Sequence, residues 1–204
     1  MKGDTVRDVI FLLVVLSISG VLTYGCQKLD VERERAPMDE DGFWALIDEI
    51  HEETQFDYKR KERLLQKRLR ELDPQDLEAL CRHWDVADDR IHQGLWAAAY
   101  AIHGGCGDDG FMDFCSTLIM CGRKIYMEAL DDPDSLVTAA KAADGDLRFE
   151  NFRYSVSSIA DERLGGEPAR LAEVDPHPAA SKWADWEEED LPKLLPRIWA
   201  EFGE

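Results

Sequence analysis

From Phe43 to the C-terminus, apolar residues recur at intervals of three and four with polar side chains between them. That spacing lines one face of a helix, and such a face leaves water only by packing on another. Phe43, Leu46, Ile47 and Ile50 form the first stripe, opened by Asp39, Glu40 and Asp41, where the helix dipole favours carboxylates. Leu64, Leu65, Leu69 and Leu72 form a second, over about Tyr58–Leu72. Asp73-Pro74 starts a third helix, because an Asp N-cap precedes a proline whose missing N–H costs nothing at the first helical position. Its stripe runs Leu77, Cys81, Trp84, Ile91, Leu95, Ala98 and Ile102 as far as His103, with Asp88 as an interruption that can mark a bend or a break. Gly104-Gly105 ends it.

Beyond that stop, Phe111, Phe114, Leu118, Cys121 and Ile125 predict another helix, capped by Asp108 or Asp109. Residues 131–140 predict a turn and a short helix, with Asp132 capping and Pro133 opening it. Phe152, Val156, Ile159 and Leu164 mark a further helix ended by Gly165-Gly166. The tail DLPKLLPRIWAEF reads as a last short helix anchored by Trp199 and Phe202. No segment alternates with period two between hairpin turns. The expected fold is mainly α: a single compact multi-helix domain over residues 41–204 with little or no β.

The N-terminal stretch differs in kind. From Val9 to Gln27 no residue is charged, while Lys2 and Arg7 precede it and Lys28 follows. Val9–Leu16 has the length of a signal-peptide apolar region, and mostly small or polar residues lead on to Cys26. That ending resembles a bacterial lipoprotein signal, in which the cysteine is lipidated, although Thr23 and Tyr24 depart from the usual pattern. The competing reading is an uncleaved anchor, since this uncharged run approaches the ~20 residues that span a bilayer. Either reading makes residues 1–26 a signal or anchor and residues 27–40 a charged tether carrying Pro37. Both place the domain on a membrane in a bacterial cell envelope.

With 24 basic against 43 acidic residues the formal charge is -19. Such a surface repels phosphate backbones, which excludes nucleic acid, and attracts a basic protein partner or divalent cations. It also serves simply to keep a monomer soluble. Besides Cys26 there are Cys81, Cys106, Cys115 and Cys121. They can make two disulfides in an oxidising compartment, but Cys81, Cys115 and Cys121 fall on apolar faces, where a small buried thiol is the default. Their spacing does not form the paired motifs of a zinc site.

The best candidate for chemistry is the glycine-rich acidic turn HGGCGDDGFMDF, residues 103–114. Asp108, Asp109 and Asp113 concentrate carboxylates for a hard cation or a basic side chain, and Cys106 with His103 offers a nucleophile and a base. The plainer reading makes Gly104, Gly105 and Gly110 punctuation between packed helices and an aspartate a cap. The aspartates do not follow the EF-hand pattern, and the residues name no cofactor or metal. Asp88, His92 and His103 would spread over about 22 Å of a continuous helix, too far for one ion. Trp183 and Trp186, beside Glu187–Asp190, can form a partner-binding edge or pin a loose segment to the core. No GxSxG, HExxH, P-loop or dinucleotide fingerprint is present.

GGCGDDGFMDFCSTLIMCGRKIY (104–126) resembles the motif GGCSDDGFxDFRxWLIxxGRxxY of a mainly bacterial family, domain of unknown function 4240. The resemblance extends to FWALID (43–48), GLWAAAYAIHGGC (94–106), DDPDSL (131–136) and the ending DLPKLLPRIWAEFG. It departs at Gly107, Cys115 and Thr117, where the family commonly has Ser, Arg and Trp. The resemblance implies a helical domain and the outline of a shared site that includes Cys106, Asp108, Asp109, Asp113, Gly122 and Arg123. In that outline Arg123 holds an anionic substrate or locks the aspartates. It supplies no activity. Two functions therefore stand as expectations: an interaction module that captures a basic partner, and an enzyme or metal site at loop 104–113.

Overall fold

Capping chemistry sets the first helix boundaries. In the computed structural model, which describes residues 35–166, 168, 174–183 and 185–203, α1 (Glu40–Thr54) opens with the Asp39 carboxylate accepting from the Gly42 N–H. Asp57 does the same for Arg60 at α2 (Tyr58–Glu71), and Asp73 for Asp76 at α3 (Pro74–Asp89). The other end of α2 is closed from a distance, where Arg163 donates to the carbonyls of Leu69 and Leu72 at 2.9 and 2.7 Å. The apolar segment, Cys26 and most of the tether lie outside the described residues.

The long stripe that ends at His103 is two helices. α3 stops at Asp89 and α4 (Gln93–His103) restarts after His92. His92 holds the break: its Nδ1 accepts from the Gly94 N–H at 3.1 Å and its Nε2 donates to the Leu130 carbonyl at 2.9 Å. Gly94 also admits Trp183, whose ring atoms would lie 2.5–2.6 Å from any Cβ built there. Trp183 is thus buried as a pin, while Trp186 meets Tyr100 edge-on at 5.8 Å.

A second stripe divides in the same way. α5 (Asp108–Ile119) and α6 (Arg123–Asp131) meet at Gly122, so Phe114 and Ile125 belong to different helices and Cys121 to the turn between them. Gly107 occupies the α5 N-cap with no side-chain bond, which corrects the expected Asp108 or Asp109 cap; both aspartates lie in the first turn. Asp132 likewise caps nothing by its side chain. It pairs with Arg197 beside a 3-10 turn, Pro133–Leu136, that runs into α7 (Val137–Ala142).

After α8 (Asn151–Leu164) come 3-10 turns at Pro178–Trp183 and Glu188–Asp190, then α9 (Leu191–Leu194) and α10 (Pro196–Phe202). The tail is anchored by Leu191, Leu195 and Ile198, all fully buried; Trp199 and Phe202 are only partly covered. Pro196 splits the tail because a proline ring clashes with a continuing helix. Among the described residues there is no strand, and the domain is mainly helical. α8 lies against α2, α3 and α5, α1 packs on α2, α3 and α6, and α10 rests on α4. Burial of side chains such as Ile47, Leu65, Leu95, Phe114 and Phe152 contributes ~1.5–3 kcal/mol each against the chain entropy. The four described cysteines are free thiols, Cys81, Cys115 and Cys121 buried and Cys106 half-buried.

Candidate functional site

The residues singled out from the sequence fall in two places. Cys106, Asp108, Asp109 and Asp113 stay together where α4 hands over to α5. Gly104, in the left-handed region at φ 64°, ends α4, and Trp96 fastens the loop by donating from Nε1 to the Cys106 carbonyl at 2.9 Å. The Trp96 ring stacks on Phe111 at 4.6 Å. Asp108 and Asp109 point to water, and Met112 beside them is 46% exposed.

His103 is not available as a base for Cys106. Its Nδ1 donates to the Ala99 carbonyl at 2.8 Å and its Nε2 accepts from the Leu147 N–H at 3.2 Å, so both nitrogens are committed. Burial, then the Arg148 charge, drives its pKa down to about 4 and keeps the ring neutral. The Cys106 thiol is pushed up by burial, which leaves it protonated and a poor nucleophile. Asp113 is also pushed up, first by burial and then by Glu150 and Asp109, with Arg148 opposing. Arg148 also stands 3.5 Å from where a Gly110 Cβ would lie. Arg148 and Glu150 are the members of this cluster that sequence reasoning missed; they follow a loop with no motif. Among the described residues no group of three His, Cys, Asp or Glu is placed to hold a metal ion.

Arg123 belongs to the second place. Its guanidinium pairs with Asp41 at 2.7 Å, and its backbone N–H donates to Asp48 Oδ1 at 2.7 Å. Arg123 therefore ties α6 to α1, and the expected lock on the loop aspartates is replaced by one on helix α1. Gly122, at φ 93°, makes the turn possible: any Cβ there would sit 2.8 Å from that same Asp48 oxygen.

Beside this junction lies a cavity of about 490 Å³ whose wall includes Asp48, His51, Glu52, Phe56, Cys121 and Ile125. Behind the wall Lys61 is fully buried, donating to His51 Nδ1 at 2.8 Å and to the Met120 carbonyl at 2.7 Å. With Lys61 as donor, the hydrogen of His51 sits on Nε2. Burial and then Lys61 drive the His51 pKa down to about 4, while burial brings Lys61 down to about 8 and lifts the Cys121 thiol to about 11. Gln55, also on the wall, holds a left-handed φ of 48° that a residue with a side chain rarely adopts. None of Asp48, His51 and Lys61 was singled out as chemistry from the sequence.

A model of the family described as protein of unknown function (DUF4240) matches residues 38–162. The chain belongs to that family. No curated protein and no solved structure matches it. Within the family motif, the geometry separates two jobs. FWALID meets GRKIY through Asp48, Arg123 and the Trp44–Tyr126 ring contact at 4.8 Å, which is scaffolding. GGCGDDGFMDF leaves Asp108 and Asp109 exposed and Asp113 half-buried. At the departures from the motif, Cys115 is simply buried. Thr117 bridges, donating to the Asp113 carbonyl and accepting from the Phe149 N–H at 2.9 Å.

Proposed function

We propose that this domain is an acidic interaction module, tethered to a membrane by its N-terminal segment, that captures a basic protein at the first turn of α5. The observation that carries the reading is the crowding of like charge there. Asp109 and Asp108 stand exposed in that turn, and Asp113, one turn further on, is disfavoured as a carboxylate first by burial and then by Glu150 and Asp109. Arg148 is the one cation among these four carboxylates that acts on Asp113. Lysines or arginines of a partner would relieve the repulsion, and exposed Met112 offers an adaptable apolar contact beside them. Against the enzyme or metal reading of loop 104–113 stand the committed nitrogens of His103, the protonated Cys106 thiol and the pairing of Arg123 with α1.

The tether rests on the uncharged run Val9–Gln27, and mass spectrometry of the mature N-terminus decides between a lipidated Cys26 and an intact anchor. Capture is tested with the immobilised full-length chain in mild detergent and a native envelope extract. A basic protein should be retained at low salt, released at high salt, and lost when Asp108→Asn and Asp109→Asn are combined. Retention that ignores both salt and the double substitution would rule out charge-driven capture at this turn.

A further inference from the structure

The cavity beside the α1–α6 junction carries chemistry that the capture surface does not use. Its wall joins the carboxylates of Asp48, Glu52 and Glu128 to the Phe56 ring, the apolar Ile125 and Ala139, and the hydroxyls of Ser135 and Thr138. The cation on the wall is Lys124, whose side chain is 86% exposed and whose ammonium lies 4.0 Å from Glu128. Glu128 is thereby offset, and Asp48 and Glu52 face the cavity without an ion-pair partner among the described residues. Asp48 already satisfies one oxygen at the Arg123 N–H, which holds the carboxylate in place.

The floor is polar but not positive to a visitor. Lys61 is completely covered, and its ammonium is directed at His51 and Met120 rather than into the cavity. Because Lys61 donates to Nδ1, His51 is held neutral and presents an imidazole rather than an imidazolium. An anion entering would meet three carboxylates, Asp48, Glu52 and Glu128, against the one exposed lysine on the wall, Lys124. A metal ion would lack ligands, since no group of three donors is placed to hold one among the described residues. An organic cation finds carboxylates for its charge and apolar surface for its stem, and a volume of about 490 Å³ exceeds what a single alkyl chain needs.

We infer that this cavity is a socket for an alkylammonium group, offered by a lysine side chain of the bound partner or by a free amine of the same chemistry. The lysine source rests on the reading of the domain as a receptor for a basic protein, but it uses different residues from the α5 turn.

Calorimetric titration of the full-length chain in detergent tests it, with 1,5-diaminopentane, trilysine and the dianion glutarate as probes. Diaminopentane and trilysine should bind saturably and compete, and glutarate should not bind. Glu52→Gln, an exposed position, should weaken the amines at least fivefold without lowering the melting temperature. If diaminopentane binds and trilysine does not, a free amine is the occupant. No saturable amine binding at millimolar concentration, glutarate binding in its place, or indifference to Glu52→Gln would overturn the socket. The two readings fail separately. Capture lost in the Asp108/Asp109 variant by a chain that ignores amines removes the socket alone. Amine binding that survives in a chain capturing no basic protein removes the capture surface alone.

Discussion

Lys61 is the residue at which burial and charge conflict most directly. A fully covered ammonium with two neutral acceptors has lost its hydration without gaining an anion, and its pKa falls to about 8 from 10.5. Between those values the unfolded chain binds more protons at this site than the native one, so raising the pH favours the folded state. Cys121 works in the opposite sense, since a thiol lifted from 9.0 to about 11 costs stability as the pH rises through that range. The Lys61 contribution is therefore read as a difference. Urea unfolding of wild type and Lys61→Met from pH 7.5 to 10.5 should show the wild type gaining relative to the variant, on the order of 3 kcal/mol across the window. A flat difference would mean that the ammonium is not destabilised by burial. The stripe is read from the leucines alone, although Lys61 stands four residues before Leu65 and eight before Leu69 and so shares their face. That a lysine in core register is fully buried, and not curled out to water, depends on His51 and Met120, which come from other parts of the chain.

At the scale of elements, the apolar period predicted helices well and their breaks poorly. The stripes through Leu65, Leu77, Leu95, Phe114 and Ile159 all face the core, because period alone fixes which side of a helix is dry. The break at Gly122 was hidden because the apolar spacing continues across that turn, whereas the one before His92 was foreshadowed by the Asp88 interruption, one residue from where α3 stops. What holds the restart of α4 in place is the His92 bond to Leu130, a long-range contact no local pattern announces. Gly122 carries the sharper consequence. Alanine there must adopt φ 93° and also displace Asp48 Oδ1 from 2.8 Å, breaking the bond to the Arg123 N–H. The left-handed backbone costs about 1–2 kcal/mol and a lost charge-assisted hydrogen bond about as much again. Gly122→Ala should therefore lower unfolding stability by about 2–4 kcal/mol in denaturant titration. A loss under 0.5 kcal/mol would mean that the α1–α6 junction relaxes freely.

For the molecule as a whole, the family match and the folding unit are different lengths of chain. The model of the family covers residues 38–162, yet the core continues through Trp183, Leu191, Leu195 and Ile198, all drawn from beyond that match. Asp134 makes the dependence plain. It is buried inside the matched stretch, and the partners of its carboxylate come from the tail: the N–H groups of Arg197 and Ile198 at 3.0 and 2.8 Å and the Arg197 Nε at 2.8 Å. Cutting the chain at residue 162 removes those donors and exposes the faces of α4 that Trp183 and α10 cover. Four large apolar side chains at ~1.5–3 kcal/mol each amount to ~6–12 kcal/mol, and a buried carboxylate stripped of its partners costs more. Domains of this size hold about 5–15 kcal/mol in total. A fragment of residues 38–162 should thus lack a cooperative thermal transition, while residues 37–204 should melt in one step by circular dichroism and calorimetry alike. Cooperative melting of the shorter fragment would show that the tail is an appendage. The α5 turn and the amine cavity would then rest on a smaller core than the contacts of Asp134 and Trp183 imply.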